Sequence, residues 1–226
     1  MTAAKRHRHE KSRSIVLYAA GSPLVADVEE SCRRLGVTIA AAVRNVAGAH
    51  YLLDASLLRE AEDIEPALLR VPCIVPLFTP SNRDQATREA AARGFTIAPA
   101  LVDPTAIVAP STVIGQGSYV NAGAVIGAAG RLGPHVIVNR SGSIGHHVEI
   151  EAMVSIGPAA VVAGQVRIGR GALLGAGAII LPKVEIGAGC VIGAGAVVTR
   201  NIPAGSLVRG NPAKIVRDGL PFIGGS

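Results

Sequence analysis

The sequence predicts two folds in series, an α/β domain over residues 14–99 and a solenoid of short stacked strands over residues 100–205, with a basic tail (1–13) before them and a C-terminal tail (206–226) after. Three observations carry this reading. From Pro104 the chain divides into sixteen consecutive hexads without an insertion, PTAIVA through AGAVVT. Ahead of them, short apolar runs alternate with helix-like stretches punctuated by Pro and Gly. The composition, 27 Gly with no Trp, three Phe and three Tyr in 226 residues, demands a core of Val, Ile, Leu and Ala, as repeat structures build.

In the α/β stretch, SIVLYA reads as a first strand. Gly21-Ser22-Pro23 starts a helix that ends near Gly36, with Ser22 as its cap and Pro23 as its first residue. VTIAAAV is a second strand, residues 55–70 a helix, VPCIVPL a third strand, and Thr79-Pro80 opens a last helix closed by Gly94. Strands and helices in this alternation make a small βαβ-type, Rossmann-like parallel sheet. Its first strand-to-helix turn offers free backbone N–H groups, a generic anion site, although AAGSP lacks the spaced glycines of a dinucleotide fingerprint.

In the hexads, position five runs from Val108 and Ile114 to Ile192 and Val198 with no polar exception, so one aliphatic per hexad points into a continuous core. Position three, two residues earlier on the same strand face, is small or aliphatic, which makes Cys190 a core residue rather than a nucleophile. Position six is most often Gly, predicting a tight turn at positive φ. Each hexad is a strand plus a corner, stacked about 4.8 Å from its neighbours, and the α/β domain is predicted to cover one end of the stack.

The net charge of +6 is concentrated in Lys5, Arg6, Arg8, Lys11 and Arg13 against Glu10, a solvated leader without the interleaved aromatics that a stacking nucleic-acid platform needs. No run approaches the length of a membrane span or the apolar core of a signal peptide. Cys32, Cys73 and Cys190 form no CxxC, against a disulfide framework or a cysteine zinc site. A cytoplasmic protein with no membrane insertion and no nucleic-acid partner is the expectation.

The hexads, the ending SLVRGNPAKIVR, the helix TPSNRDQATREAAARGF and the segment VNRSGSIGHHVEI together resemble the hexapeptide-repeat acyltransferases. The similarity is to the bacterial nucleotide-sugar acetyltransferases that include sialic acid O-acetyltransferases and 4-aminosugar N-acetyltransferases. The resemblance implies a left-handed parallel β-helix of three hexads per coil, a homotrimer with active sites between subunits, and acetyl-CoA and a nucleotide sugar as substrates, with no metal. His146 matches the family's general base, a task that suits an imidazole, and its hexad position is an outward corner. A solvated surface pair is the other reading of His146 and His147. Asn139 matches a residue near acceptor and thioester, while its spacing from Asn121, one coil earlier, also fits an asparagine ladder that satisfies a turn.

By the same resemblance Ser155, Ala176 and Ala194 face acetyl-CoA, Lys214 meets its phosphates, and Ala20, Gly21, Ser22, Arg44 and Asn45 form the nucleotide-sugar site. The sequence departs from the family where His147 replaces the usual Asp or Glu and Gly145 precedes the base. Glu149, Glu151 or a backbone carbonyl must then orient His146, or activity is low. A catalytically weak sugar-nucleotide-binding or scaffold protein therefore stays open. So does a zinc enzyme of the gamma-class carbonic anhydrase kind using His135, His146 and His147.

Overall fold

The computed structural model describes residues 14–221; the predicted basic tail, 1–13, and residues 222–226 lie outside the described residues. Ser14–Tyr18 (β1), almost wholly buried, pairs in parallel with Thr38–Arg44 (β2) and with Cys73–Ile74 (β4), and Leu58–Glu60 (β3) adds the edge, giving the order β3-β2-β1-β4. β4 is shorter than its apolar run because Pro72 and Pro76 flank it. Helix α1, Leu24–Leu35, buries Leu24, Val25, Val28 and Cys32 along one stripe and stops at Gly36, whose φ of 66° is the left-handed C-cap. Ser22 Oγ accepts from Leu24 N at 3.3 Å, so the capping bond forms with Pro23 just outside the helix. Helix α2, Pro80–Ala92, carries Pro at its first position as expected.

The helix predicted over residues 55–70 does not form. That segment is three single 3-10 turns, Ala55–Leu57, Ala61–Asp63 and Leu68–Arg70, interrupted by β3. Pro66 lacks an amide proton and drives Glu65 away from helical geometry, while β2 captures Leu58–Glu60 as an edge partner.

Beyond the sheet the chain is a left-handed parallel β-helix. Each two-residue strand pairs with the strands 18 residues before and after it, as Arg131–Leu132 does with Val113–Ile114 and Glu149–Ile150. Three sheets make the walls of a prism whose core is a column of Val, Ile, Leu and Ala from positions three and five, Cys190 included. The coils begin one hexad before the sixteen: Leu101–Val102 already pairs with Tyr119–Val120. At the other end Leu207–Arg209 stacks in parallel on Val191–Ile192 and Lys214–Arg217 turns back antiparallel, so the start of the predicted C-terminal tail completes the last coil.

Positive φ falls on position two of the hexads, not position six, and is adopted there by His135, Ser141, His147, Met153 and Gln165 as well as by Gly. The position-six glycines answer a different need. A Cβ on Gly115 would lie 2.5 Å from Pro134 N, and one on Gly175 would lie 2.5 Å from Ala194 N, so these residues let the next coil's corner approach.

The α/β domain covers a wall of the prism rather than its end. Tyr119 and Ile137 share a buried cluster with Leu17, Val25, Val28 and Cys32. A fully buried Arg83 on α2 spans the junction, with Nε donating to His135 O (3.0 Å), Nη1 to Leu77 O (2.5 Å) and Phe78 O (3.0 Å), and Nη2 to Met153 O (2.8 Å) and Val154 O (3.2 Å). On α1 the contact is ionic: buried Asp103 accepts from Ser31 Oγ at 2.6 Å and from Arg34 at 2.6 and 2.9 Å. Burial alone would raise the Asp103 pKa, but the bonds from Ser31, Thr105 and Arg34 hold it well below the usual carboxylate range.

The two remaining walls differ. One presents Ile107, Val125, Ser143, Val161, Ile179 and Val197, with Ile107 66%, Val125 44%, Val161 38% and Ile179 37% exposed. The other carries Arg131, Glu149, Arg167 and Glu185, with Arg167 between Glu149 (3.2 Å) and Glu185 (3.4 Å). No helix among the described residues is long and apolar enough to cross a membrane.

Candidate functional site

The hexad period sorts the predicted site residues onto corners. His146 stands in the column Ala128, His146, Gly164, tied by His147 N donating to Ala128 O (2.8 Å) and Gln165 N to His146 O (2.9 Å). Ala176 and Ala194 stand in another, with Ala122, Arg140 and Pro158, where Gly177 N donates to Pro158 O and Gly195 N to Ala176 O, both at 2.9 Å. Asn139 adjoins Arg140 on that second corner. Within one chain, therefore, His146 flanks the apolar wall on one edge and Asn139, Ala176 and Ala194 flank it on the other, and they do not share a groove.

Both histidines are exposed. His146 Nδ1 lies 3.0 Å from His147 Nδ1, with the rings edge to face at an interplanar angle of 85°. The carboxylates expected to orient His146 are engaged elsewhere: Glu149 pairs with Arg167, and Glu151 Oε2 accepts from Arg170 N at 2.8 Å. The far side of the His146 ring lies over Gly164, where a Cβ would come within 2.7 Å of Nε2 and 2.8 Å of Cε1. Sequence reasoning missed this glycine, although the 18-residue period points to it. Gly164→Ala is expected to displace the imbedded edge of the ring rather than the backbone and to lower turnover about 10–10²-fold, as ångström-scale misplacement does. Turnover and melting temperature measured together check this; an unchanged rate would show that the ring position is immaterial.

Asn139 is buried, and its Oδ1 accepts from Asn121 Nδ2 (3.0 Å) and Arg140 N (2.7 Å). Asn121 Nδ2 also reaches Asp27 on α1 (3.1 Å), which takes Arg140 Nη1 at 2.8 Å. The predicted ladder thus exists and turns the corner. Ser155 is corrected: its side chain is fully buried and donates to Phe78 O at 2.5 Å, so it fastens the α/β domain instead of lining an open groove. Ala176 and Ala194 are exposed, and Lys214 and Arg209, paired in register above them, supply two exposed cations to the same corner. Arg209 had no signal beyond its charge.

At the carboxyl ends of β1 and β2, Ala19 takes a φ of 70° where a glycine would be usual, Ala20 is buried, and Gly21 stands open. Ala20 N donates to Val43 O (2.9 Å), which places this turn beside Arg44 and Asn45. Arg44 is held by Glu60 and by Gly48 O (2.9 Å), and Asn45 Nδ2 donates to Glu89 (2.9 Å), which also accepts from buried Tyr18 (2.8 Å). This is the carboxyl edge where open parallel sheets bind ligands.

Cys32 and Cys73 are buried, with burial pushing each thiol up to about 12, and Cys190 is buried with Sγ donating to Pro203 O at 3.0 Å; none is set up as a nucleophile. His135 is buried at the domain junction, apart from His146 and His147. Among the described residues no group of three or more His, Cys, Asp or Glu could hold a metal ion.

Residues 166–200 match the bacterial transferase hexapeptide (six repeats) family. A variant of perosamine N-acetyltransferase from Caulobacter crescentus, one histidine replaced by asparagine and in complex with CoA and GDP-perosamine, is 31% identical over 91% of this chain and 97% of that one, with a TM-score of 0.80. The acetyltransferase domain of PglB from Neisseria gonorrhoeae, in complex with acetyl coenzyme A, is 33% identical over 91% of this chain and all (100%) of that one, also with a TM-score of 0.80. WeeI from Acinetobacter baumannii, 23% identical over 89% of this chain and 99% of that one with a TM-score of 0.72, shares the fold. No curated protein matches the chain. With the hexad solenoid, the α/β domain docked on its wall and two relatives alike over nine-tenths of its length, the chain belongs to the hexapeptide-repeat acyltransferases, among the bacterial sugar acetyltransferases.

Proposed function

We propose that this protein transfers an acetyl group from acetyl-CoA to the amine of a nucleotide-linked 4-amino-deoxy sugar, in the cytoplasm and for glycan or polysaccharide biosynthesis, with His146 as general base. The observation that carries the reading is the exposed His146 imidazole, with Nδ1 engaged by His147 and Nε2 over a glycine, unpartnered among the described residues. The relatives solved with CoA and GDP-perosamine support an amine acceptor carried on a nucleotide. In the transfer, the amine nitrogen bonds to the acetyl carbon as the C–S bond breaks. Nε2 takes the proton the amine sheds, and the coenzyme A sulfur leaves as a thiolate that this proton neutralises. Binding the sugar falls to the edge formed by Ala20, Gly21, Ser22, Arg44 and Asn45.

The placement of the parts also supports a homotrimer. The exposed aliphatic wall is larger than scattered surface residues account for, and it has the His146 corner on one edge and the corner of Asn139, Ala176 and Ala194 on the other. A threefold ring joins two different patches, so closure sets the base of one copy against the alanine corner of the next. That corner fits coenzyme A: beyond Arg140, its exposed Ala176 and Ala194 are methyl-sized, leaving room for the pantetheine arm, and Arg209 and Lys214 stand above it for phosphates.

Coenzyme A at a hundredfold excess over its dissociation constant is expected to stabilise the protein by about 2.7 kcal/mol, roughly 5–10 °C in melting temperature at this chain length. Ile179→Asp, which puts a charge on the apolar wall, should yield monomers by sedimentation and abolish the shift. A folded trimer whose melting ignores millimolar coenzyme A would end the acetyltransferase reading.

A further inference from the structure

We infer that His147 is the positioning residue of the base: as a neutral imidazole it accepts the Nδ1–H of His146, doing with a ring nitrogen what a carboxylate would otherwise do. Neighbouring side chains on an extended strand point to opposite faces. At this corner His147 has a φ of 54°, and the left-handed turn brings its ring onto that of His146. A separation of 3.0 Å between two Nδ1 atoms admits one bridging proton, so one ring donates and the other accepts. If His146 donates, its Nε2 keeps a lone pair and is a base. If His147 donates, the proton of a neutral His146 sits on Nε2 and no base remains. Among the described residues no other partner competes, since Glu149 and Glu151 are occupied by Arg167 and the Arg170 amide. The assignment of a task to this pair rests on the acetyltransferase reading; the direction of the hydrogen bond does not.

A consequence separates this pair from a histidine–carboxylate pair. A carboxylate only accepts, whereas a second imidazole can donate or accept through its Nδ1. Protonating either ring removes the base: a proton on His146 occupies Nε2, and a proton on His147 turns its Nδ1 into a donor. The coils stacked on the pair bring no ionisable group of their own, Ala128 and Ala129 below and Gly164 and Gln165 above; beyond Gln165 in the same column Lys183 is exposed. Across the proposed trimer contact Arg140 arrives already paired with Asp27.

The test uses the full chain and two variants, His147→Glu and His147→Ala. Nitrogen-15 NMR of the imidazoles at about pH 8, above the titration of an ordinary imidazole, should show His146 protonated on Nδ1 in the native protein and in His147→Glu, and no longer held in that tautomer in His147→Ala. In acetyl transfer His147→Glu should stay within about tenfold of the native rate, because a carboxylate accepts the same Nδ1–H, and His147→Ala should lose about 10–10³-fold, as a base in the wrong tautomer does. A native His146 protonated on Nε2, or a His147→Ala protein as active as the native one, would overturn the proposal. A correct tautomer in a protein that acetylates no sugar would instead overturn the enzymatic reading and leave the hydrogen bond standing.

Discussion

His146→Asn should lower turnover by about 10²–10⁴-fold, the range that general-base removal costs, while leaving coenzyme A affinity nearly unchanged. Asparagine is polar and tolerated at an exposed corner, so the substitution removes the proton acceptor and little else. Among the described residues His146 makes no core contact and its one side-chain hydrogen bond is to His147, hence the melting temperature should stay close to native. Measuring kcat, KM for the amino sugar and the dissociation constant of coenzyme A separates the possibilities. A loss in kcat alone places the residue at the transferring proton. A loss confined to binding would make it a contact residue, and full activity would return the two histidines to a solvated surface pair.

The frame of the β-helix was legible because its constraint is periodic: an aliphatic at every sixth position can be read from the chain without knowing any partner. The same frame contained more than was read from it. Counting in steps of 18 would have put Gly164 over His146 and separated Ala176 and Ala194 from it, because residues offset by 18 stack while those offset by 6 or 12 turn a corner. The role of the position-six glycines was hidden for a related reason. A tight turn and a close approach both call for glycine, and only the neighbouring coil distinguishes them. Residues 55–70 misled because Leu57, Leu58, Leu68 and Leu69 mimic a helical stripe, whereas the edge of β2 and Pro66 decided the outcome. Ser155 and Arg83 were illegible in kind. Their roles depend on two domains meeting, and nothing local marks an arginine that will be buried from one that stays in solvent.

Arg83 carries the largest stability effect expected in the molecule. Arg83→Met keeps an unbranched apolar stem but takes the guanidinium donor from the buried carbonyls of Leu77, His135 and Met153, and one of two donors from Phe78 O and Val154 O, which keep Ser155 Oγ and Ile137 N. Losing one side of a buried charged network costs about 3–5 kcal/mol, or roughly 6–20 °C in melting temperature at this length. Arg83→Lys should recover only part of it, since an ammonium cannot address carbonyls on both sides of the junction as the planar fork does. Burial lowers the guanidinium pKa to about 9, with Asp84 opposing, so Arg83 is still a cation at neutral pH. Next to it, His135 Nδ1 is buried with no partner among the described residues, and its pKa is lowered to about 4, first by burial and then by the Arg83 charge. The sign of the pH effect follows. Because the folded value lies below the ordinary value of about 6.5, the unfolded chain binds the proton first, so the stability from neutral His135 is complete above about 6.5 and is lost as pH falls toward about 4. Removing the neighbouring cation lets the His135 pKa rise, so the acid-side loss should be shallower in Arg83→Met than in the native protein. Melting temperatures across that interval measure both effects. A variant that melts within a degree or two of native, with an identical pH dependence, would show that the two domains do not depend on this guanidinium to stay together.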